Sequence, residues 1–151
     1  MKLTVLDGYA LNPGDLSWDS FNKYADVTVF DRTPQELTAE RIGNSDAILL
    51  NKVKITSEIL SKCPNLKYIG VLATGYNTLD VDAVKNAGIC ATYIPDYSTN
   101  AVAQHVFALI TYFTNHVAVH NESVMNGDWI KSPDFYYRKK TLIELCGKTL
   151  G

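Results

Sequence analysis

Residues 68–92 read YIGVLATGYNTLDVDAVKNAGICAT and contain a complete β-α-β pattern. An apolar run over Tyr68–Leu72 is followed by a loop, a helical segment over Val81–Asn86, and a second apolar run over Ile89–Thr92. Gly88 stands just past the helical segment, where glycine commonly ends a helix. Neither apolar run alternates cleanly with polar residues, which is typical of a parallel sheet covered by helices on both faces.

The same pattern extends back to the start of the chain. Strands are predicted at Lys2–Leu6, Val27–Phe30 and Ala47–Leu50. Helices are predicted at Asp15–Tyr24 with Asp15 as the cap, at Pro34–Ile42 with proline in the first turn, and at Thr56–Ser61 capped by Thr56. The alternation predicts an α/β fold over residues 1–98, a flavodoxin-like or Rossmann-like doubly wound parallel sheet.

The pattern changes after residue 98. Apolar residues recur with helical period from Thr99 to about Met125, which predicts one long helix. An extended, aromatic arm is predicted for residues 127–140, a helical turn for Leu142–Leu145, and the start of an apolar strand for Gly147–Gly151. Because a domain rarely ends on the first residues of a buried strand, we expect a truncated chain.

Composition and charge exclude several classes of protein. Hydrophobic residues make up 46% of the 151 residues and charged residues 20%, with a net charge of −2, which is typical of a globular domain. This balance argues against nucleic-acid and membrane-surface binding, and no apolar run reaches the roughly 18 residues of a membrane span. The N-terminus does not resemble a signal peptide. Three scattered cysteines predict buried or half-buried thiols in a reducing, cytoplasmic setting.

Ligands of parallel α/β sheets bind at the carboxyl ends of the strands. The loop at residues 73–77 is the best candidate anion site, because Gly75 permits close backbone approach, and Lys52 could add a positive charge. The alternative is a plain turn in which Asn77 or Thr78 caps the next helix. For Ser98, helix capping is the simpler role, and contact with a ligand in a cleft between two domains is the alternative.

The three histidines lie on the predicted long helix. His116 and His120 are four residues apart, a possible metal-binding spacing, but a solvated or packing role is favoured because no further ligand completes the set. His105 is expected to have a hydrogen-bonded structural role. Neither GxGxxG, GxxxxGKS/T nor GxSxG occurs. The residues alone therefore indicate a small-ligand-binding α/β unit without a catalytic set or a metal site.

Five segments in register resemble the D-2-hydroxyacid dehydrogenase family, in its glycerate dehydrogenase/hydroxypyruvate reductase branch. The resemblance covers essentially the whole chain and corresponds to the N-terminal portion of the family. The segments are Val5–Trp18, Asn51-Lys52 with Leu66–Asn77, Pro95–Thr99 with Val102–Leu109, Asn126–Trp129, and Leu142–Gly151.

The resemblance implies two Rossmann-like domains, with the substrate (catalytic) domain at residues 1–98. Residues 99–151 would be the hinge helix, the arm and the first strand of a truncated nucleotide-binding domain. The implied activity is hydride transfer between NAD or NADP and a small 2-oxo or 2-hydroxy acid, hydroxypyruvate/glycerate or glyoxylate/glycolate. The family's arginine, glutamate and histidine, and most of its cofactor site, would lie beyond residue 151. We therefore expect no catalytic residue in this chain and no turnover by the chain alone.

The resemblance also implies roles for individual residues. The substrate carboxylate would bind the backbone amides of Thr74 and Gly75, flanked by Ala73 and Tyr76. Lys52 would lie in a second substrate-side loop. Ser98 would be a polar substrate contact, Val102 would lie near the nicotinamide, and residues 99–140 would form a homodimer contact.

Two other hypotheses belong to different classes of protein. One is a non-enzymatic module for small-carboxylate binding or dimerisation, which applies if the chain naturally ends at residue 151. The other is a flavodoxin-like phosphate or flavin binder. It is disfavoured because the loop after the first strand reads Asp7-Gly8-Tyr9-Ala10 instead of a Ser/Thr/Gly-rich phosphate loop.

Overall fold

The computed structural model describes residues 1–151, which form two compact units, residues 1–97 and 98–151. The first unit contains a five-stranded sheet in which every pairing is parallel, in the order β2-β1-β3-β4-β5. The strands are β1 (Lys2–Val5), β2 (Asp26–Val29), β3 (Ala47–Leu50), β4 (Tyr68–Val71) and β5 (Cys90–Tyr93). This architecture confirms the predicted α/β fold, and the strand order is the flavodoxin-like one.

Short helices connect the strands. They are α1 (Gly8–Leu11), α2 (Thr38–Ile42), α3 (Ser57–Ser61) and α4 (Val81–Asn86), with 3-10 turns at Asp19–Lys23 and Gln35–Leu37. Thr56 caps α3 as predicted, because its hydroxyl oxygen accepts a hydrogen bond from Ile59 N. The cap of α4 is Asp80, whose carboxylate accepts from Ala83 N at 3.0 Å, and not the predicted Asn77 or Thr78.

The predicted helix at Asp15–Tyr24 is wrong, since only the five-residue 3-10 turn at Asp19–Lys23 forms there. Asn12 explains the difference. Its side-chain oxygen accepts hydrogen bonds from Gly14 N at 3.1 Å and Leu16 N at 3.0 Å. These bonds hold the preceding segment in a loop, and Asp15 caps nothing.

The core of the first unit lies on both faces of the central strands. Leu6, Ile48, Leu50, Ile69 and Val71 form one face, and Leu3, Val5, Ala47 and Leu49 form the other. All four residues of β3 are buried, as expected for a strand covered on both sides. All four residues of the edge strand β5 are exposed, so the prediction of full coverage fails at this edge.

The second unit contains α5 (Thr99–Thr114), α6 (Val117–Met125) and α7 (Asp128–Lys131). The predicted single helix is wrong because the backbone breaks at His116, which adopts a left-handed conformation with φ of 47°. The hydroxyl of Thr114 donates back to Ile110 O at 2.8 Å, and such bonds bend or end helices. The apolar period continues across the break, so the sequence pattern does not reveal it.

Residues after α7 form neither helix nor strand. The helical turn predicted at Leu142–Leu145 is therefore absent. The strand predicted from Gly147 is absent too, since this segment pairs with no strand of the sheet. The arm is not fully extended, since α7 begins directly after Gly127. None of the helices is both long enough and apolar enough to span a membrane.

Candidate functional site

A buried carboxylate stands at the carboxyl end of β1. Asp7 is 5% exposed, and its two oxygens accept hydrogen bonds from the backbone amides that follow β3. The distances are 2.9 and 3.1 Å from Asn51 N and 2.6 Å from Lys52 N. The gap between β1 and β3 is where the strand order reverses, the usual ligand position in this topology. Because Asp7 already occupies these amides, they are not available to an anionic ligand.

The loop after β4 keeps its backbone amides free. The N–H groups of Thr74, Gly75 and Tyr76 donate to no acceptor within the protein. All three residues are exposed, so the amides are open to a ligand. Unpaired, accessible N–H groups in a turn are the usual elements of an anion-binding concavity.

Three contacts fix this loop in place. The side-chain amide of Asn51 donates to Leu72 O at 3.0 Å, just before the loop. Ile94 N donates to Ala73 O at 3.1 Å, which attaches the loop to the chain leaving β5. Leu79 pairs with Ile55 just after the loop, with Ile55 N donating to Thr78 O at 2.8 Å. The free amides are thus held between anchored ends.

Tyr76 shapes one side of the loop. Its ring packs against Tyr93 with 5.1 Å between ring centroids. The two rings line an open apolar pocket of about 260 Å³, with Leu79, Val81 and Val84 among its other walls. A ligand on the loop would therefore lie close to an aromatic surface.

The structure places Lys52 on the loop beside Ala73–Tyr76. β3 and β4 are neighbours in register, with Leu50 opposite Val71, so the residues that follow them lie at the same sheet edge. The Lys52 side chain is exposed, and its ammonium group belongs to none of the three salt bridges of the chain. Its positive charge is available to an anionic ligand.

The remaining predicted site residues belong to the second unit. Ser98 occupies the N-cap position of α5, but its side chain makes no capping hydrogen bond, so the simpler predicted role is not realised. Val102 lies in the first turns of α5 and is 57% exposed. Ser98 is partly buried.

The histidines bond to backbone groups or to nothing. His120 Nε2 accepts from Lys139 N at 3.3 Å, and its Nδ1 lies 3.0 Å from His116 O. His116 Nε2 lies 3.2 Å from Thr141 O. These contacts agree with the packing role that the sequence favours for His116 and His120. His105 is exposed and makes no hydrogen bond, so the hydrogen-bonded structural role predicted for it is wrong. No group of three or more metal-ligating side chains comes together.

An ion pair fixes the arm beside α7. Lys139 Nζ lies 2.7 Å from Asp128 Oδ2, and Ser123 donates to the same oxygen at 2.7 Å. The hydrogen bond from Lys139, followed by that from Ser123, holds the pKa of Asp128 below its ordinary value. This pairing also raises the pKa of Lys139.

The cysteines only partly follow the sequence prediction. Cys63 is buried, and burial raises the pKa of its thiol. Cys90 and Cys146 are exposed, contrary to the expectation of buried or half-buried thiols. All three are free thiols.

Sequence reasoning assigned no role to Asp7 or Asn51. Asp7 stands two residues after β1 and Asn51 directly after β3, at the sheet edge where ligands bind, and this placement was the available signal. Their hydrogen-bond partners are distant in sequence, so the local pattern could not reveal them.

Residues 9–149 match the protein family described as "D-isomer specific 2-hydroxyacid dehydrogenase, catalytic domain". Hydroxypyruvate reductase of Blautia hydrogenotrophica is 44% identical across this chain, which covers 48% of that relative. Glycerate dehydrogenase of Methylorubrum extorquens is 35% identical over 79% of this chain and 38% of its own length. The chain thus spans about half the length, or less, of these curated relatives.

The solved structure of acyclic imino acid reductase (Bsp5), in complex with NADPH and D-Arg, is also similar. It superposes with a TM-score of 0.69 at 33% identity, over 84% of this chain and 41% of that chain.

Proposed function

This chain belongs to the D-isomer-specific 2-hydroxyacid dehydrogenase family, and we propose that it forms the substrate-binding part of an NAD- or NADP-dependent oxidoreductase. The reaction is hydride transfer between the nicotinamide and a small 2-oxo or 2-hydroxy acid. Hydroxypyruvate and glycerate are the favoured pair, because relatives at 44% and 35% identity are a hydroxypyruvate reductase and a glycerate dehydrogenase. Glyoxylate and glycolate are the second pair.

The observation that carries this proposal is the anchored loop with free amides at Thr74, Gly75 and Tyr76. A carboxylate is common to all of these substrates, and backbone N–H groups bind it by charge-assisted hydrogen bonds. Lys52 adds a positive charge from the neighbouring loop. In this scheme Ala73 and Tyr76 shape the site.

The residues present indicate which steps depend on the cofactor and which on this chain. When bound, the nicotinamide supplies or accepts the hydride. The residues of this chain bind and orient the carboxylate, and Val102 provides an apolar surface for the nicotinamide. The 151 residues contain no GxGxxG loop, so most of the cofactor site lies outside them. We expect no turnover from these residues alone.

The test is a titration of the ¹⁵N-labelled chain with hydroxypyruvate, followed by NMR. The amide signals of Thr74, Gly75 and Tyr76 are expected to shift saturably. Dihydroxyacetone, which keeps the carbonyl and hydroxyl groups but lacks the carboxylate, should leave them unchanged. Absence of saturable shifts with hydroxypyruvate would overturn the carboxylate site, and NADH oxidation by the chain would overturn the expectation of no turnover.

We also propose that residues 99–140 mediate a homodimer. Their helices and arm expose many large apolar side chains, among them Phe113 at 66%, Ile130 at 87% and Phe135 at 102%. Exposed apolar surface of this extent favours association. Sedimentation of the chain should show a dimer that Phe113→Glu dissociates, whereas Tyr24→Glu, at an equally exposed apolar side chain of the first unit, should not. A monomeric wild-type chain would contradict this proposal.

A further inference from the structure

We propose that Asp7 is a positioning residue for the carboxylate site, acting through Asn51 and Lys52. The inference deepens the proposed function and rests on it, because the positioned elements are the two loops assigned to the substrate carboxylate. Asp7 itself lies behind these loops and is not placed in contact with substrate.

The first step is the contact between Asp7 and the loop that carries Lys52. Both oxygens of the buried carboxylate accept from the first two amides after β3, over a sequence separation of 44 and 45 residues. A carboxylate accepts at both oxygens and donates at neither, so it satisfies both amides at once. The backbone of Lys52 is thereby fixed relative to β1.

The second step leads from Asn51 to the loop with the free amides. The Nδ2 group of Asn51 donates to Leu72 O at 3.0 Å, and Leu72 directly precedes Ala73. The side-chain oxygen of Asn51 is buried without a partner, so the side chain has a single bonding contact, the one to Leu72. Asn51 therefore links the amides held by Asp7 to the start of the carboxylate loop.

Burial of a charged group argues for a specific role. Removing an ionised carboxylate from water is costly unless strong hydrogen bonds compensate. A neutral Asn at position 7 would place an NH₂ group against one of the two amides. A donor would then face a donor, so the amides could not stay at their present distances from this side chain.

A double-mutant cycle separates positioning from general stabilisation. The dissociation constant for hydroxypyruvate is measured by NMR for the wild-type chain, Asp7→Asn, Lys52→Met and the double variant. Lys52→Met removes a charged contact with the substrate and should weaken binding about tenfold or more. Asp7→Asn should weaken binding to a similar extent, because it lets that contact shift. If Asp7 acts by placing Lys52 and the loop, Lys52→Met should have little further effect once Asp7 is changed, because coupled residues are not additive.

Asp31→Asn is the matched control. Asp31 follows β2 at the same sheet edge, is exposed, and makes no side-chain hydrogen bond or salt bridge. This variant removes one negative charge without removing an amide contact, so its dissociation constant should equal that of the wild-type chain. Weakening by Asp31→Asn equal to that of Asp7→Asn would show that the loss of affinity does not depend on the two amide contacts of Asp7, and would overturn the inference.

The other outcomes are equally decisive. Fully additive effects, or wild-type binding by Asp7→Asn, would overturn the positioning role while leaving the proposed function intact. If Asp7→Asn does not fold, Asp7→Ser, which is smaller and keeps one acceptor, replaces it in the cycle. A wild-type chain that does not bind hydroxypyruvate would overturn the proposed function and, with it, this inference.

Discussion

Replacement of Gly75 by alanine should separate ligand binding from stability. A Cβ atom at this position would meet only Asn77 Oδ1, at 3.4 Å, which is an ordinary contact. The backbone there lies outside the left-handed region, so alanine can adopt it. Replacing glycine where alanine fits stabilises proteins by about 0.4–1 kcal/mol, and we expect the free energy of unfolding to stay constant or rise by that amount.

Affinity for hydroxypyruvate should fall, although stability is kept or raised. Apart from Asn77 Oδ1, the new methyl group would meet no protein atom within 4 Å, so it would take up space next to the amides that a carboxylate has to approach. A hydrogen bond to a charged group contributes about 1.5–3 kcal/mol, and about 1.4 kcal/mol corresponds to a factor of ten in Kd. Loss of one such contact therefore raises the Kd for hydroxypyruvate about 10- to 100-fold.

Gly88→Ala is the matched control. Gly88 has φ of +67° and no atom within 4 Å of an added Cβ. Alanine there would therefore lower the free energy of unfolding only through its unfavourable backbone conformation. That cost is about 1–2 kcal/mol of stability, with no change in Kd. Urea unfolding and calorimetric titration measure the two quantities for each variant. Wild-type affinity in Gly75→Ala would refute the role of the 73–77 loop as a site of close backbone approach.

Three further predictions concern the core, the thiols and the arm. Ile69→Ala, at a fully buried position in β4, should lower the free energy of unfolding in urea by about 2–5 kcal/mol, and a loss below about 1 kcal/mol would contradict the described core. In the folded chain Cys63 should react slowly with a disulfide reagent, because it is buried and its thiol pKa is raised, whereas the two exposed cysteines react fast. Since Lys139 lowers the pKa of Asp128, the ion pair stabilises the arm fully above the ordinary carboxyl pKa and is lost as the pH falls through the lowered value. NMR signals of the arm should show that acid transition in the wild-type chain, and its persistence in Asp128→Asn would contradict the assignment.

Local pattern was sufficient for much of the first unit. Strand β3 and helix α4 have the predicted bounds, and Thr56 caps α3 as expected. These features depend on hydrophobic period, capping chemistry and helix-ending glycine, all of which act within a few residues. The helix predictions at Asp15–Tyr24 and across His116 fail because hydrophobic period alone does not detect what interrupts a helix. Hydrogen bonds to the Asn12 side chain interrupt the first, and the left-handed backbone of His116 interrupts the second.

The sequence by itself determined that this chain is a parallel α/β unit of the D-isomer-specific 2-hydroxyacid dehydrogenase family, with an exposed loop at residues 73–77. Only the tertiary structure decided which strands are neighbours and which amides remain free. Asp7 accepts hydrogen bonds from the amides after β3, 44 and 45 residues away, and Asn51 donates to Leu72, directly after the adjacent strand β4. Such contacts form because the sheet brings together strand ends that are far apart in the sequence. The residues next to a strand end do not reveal which other strand will be its neighbour.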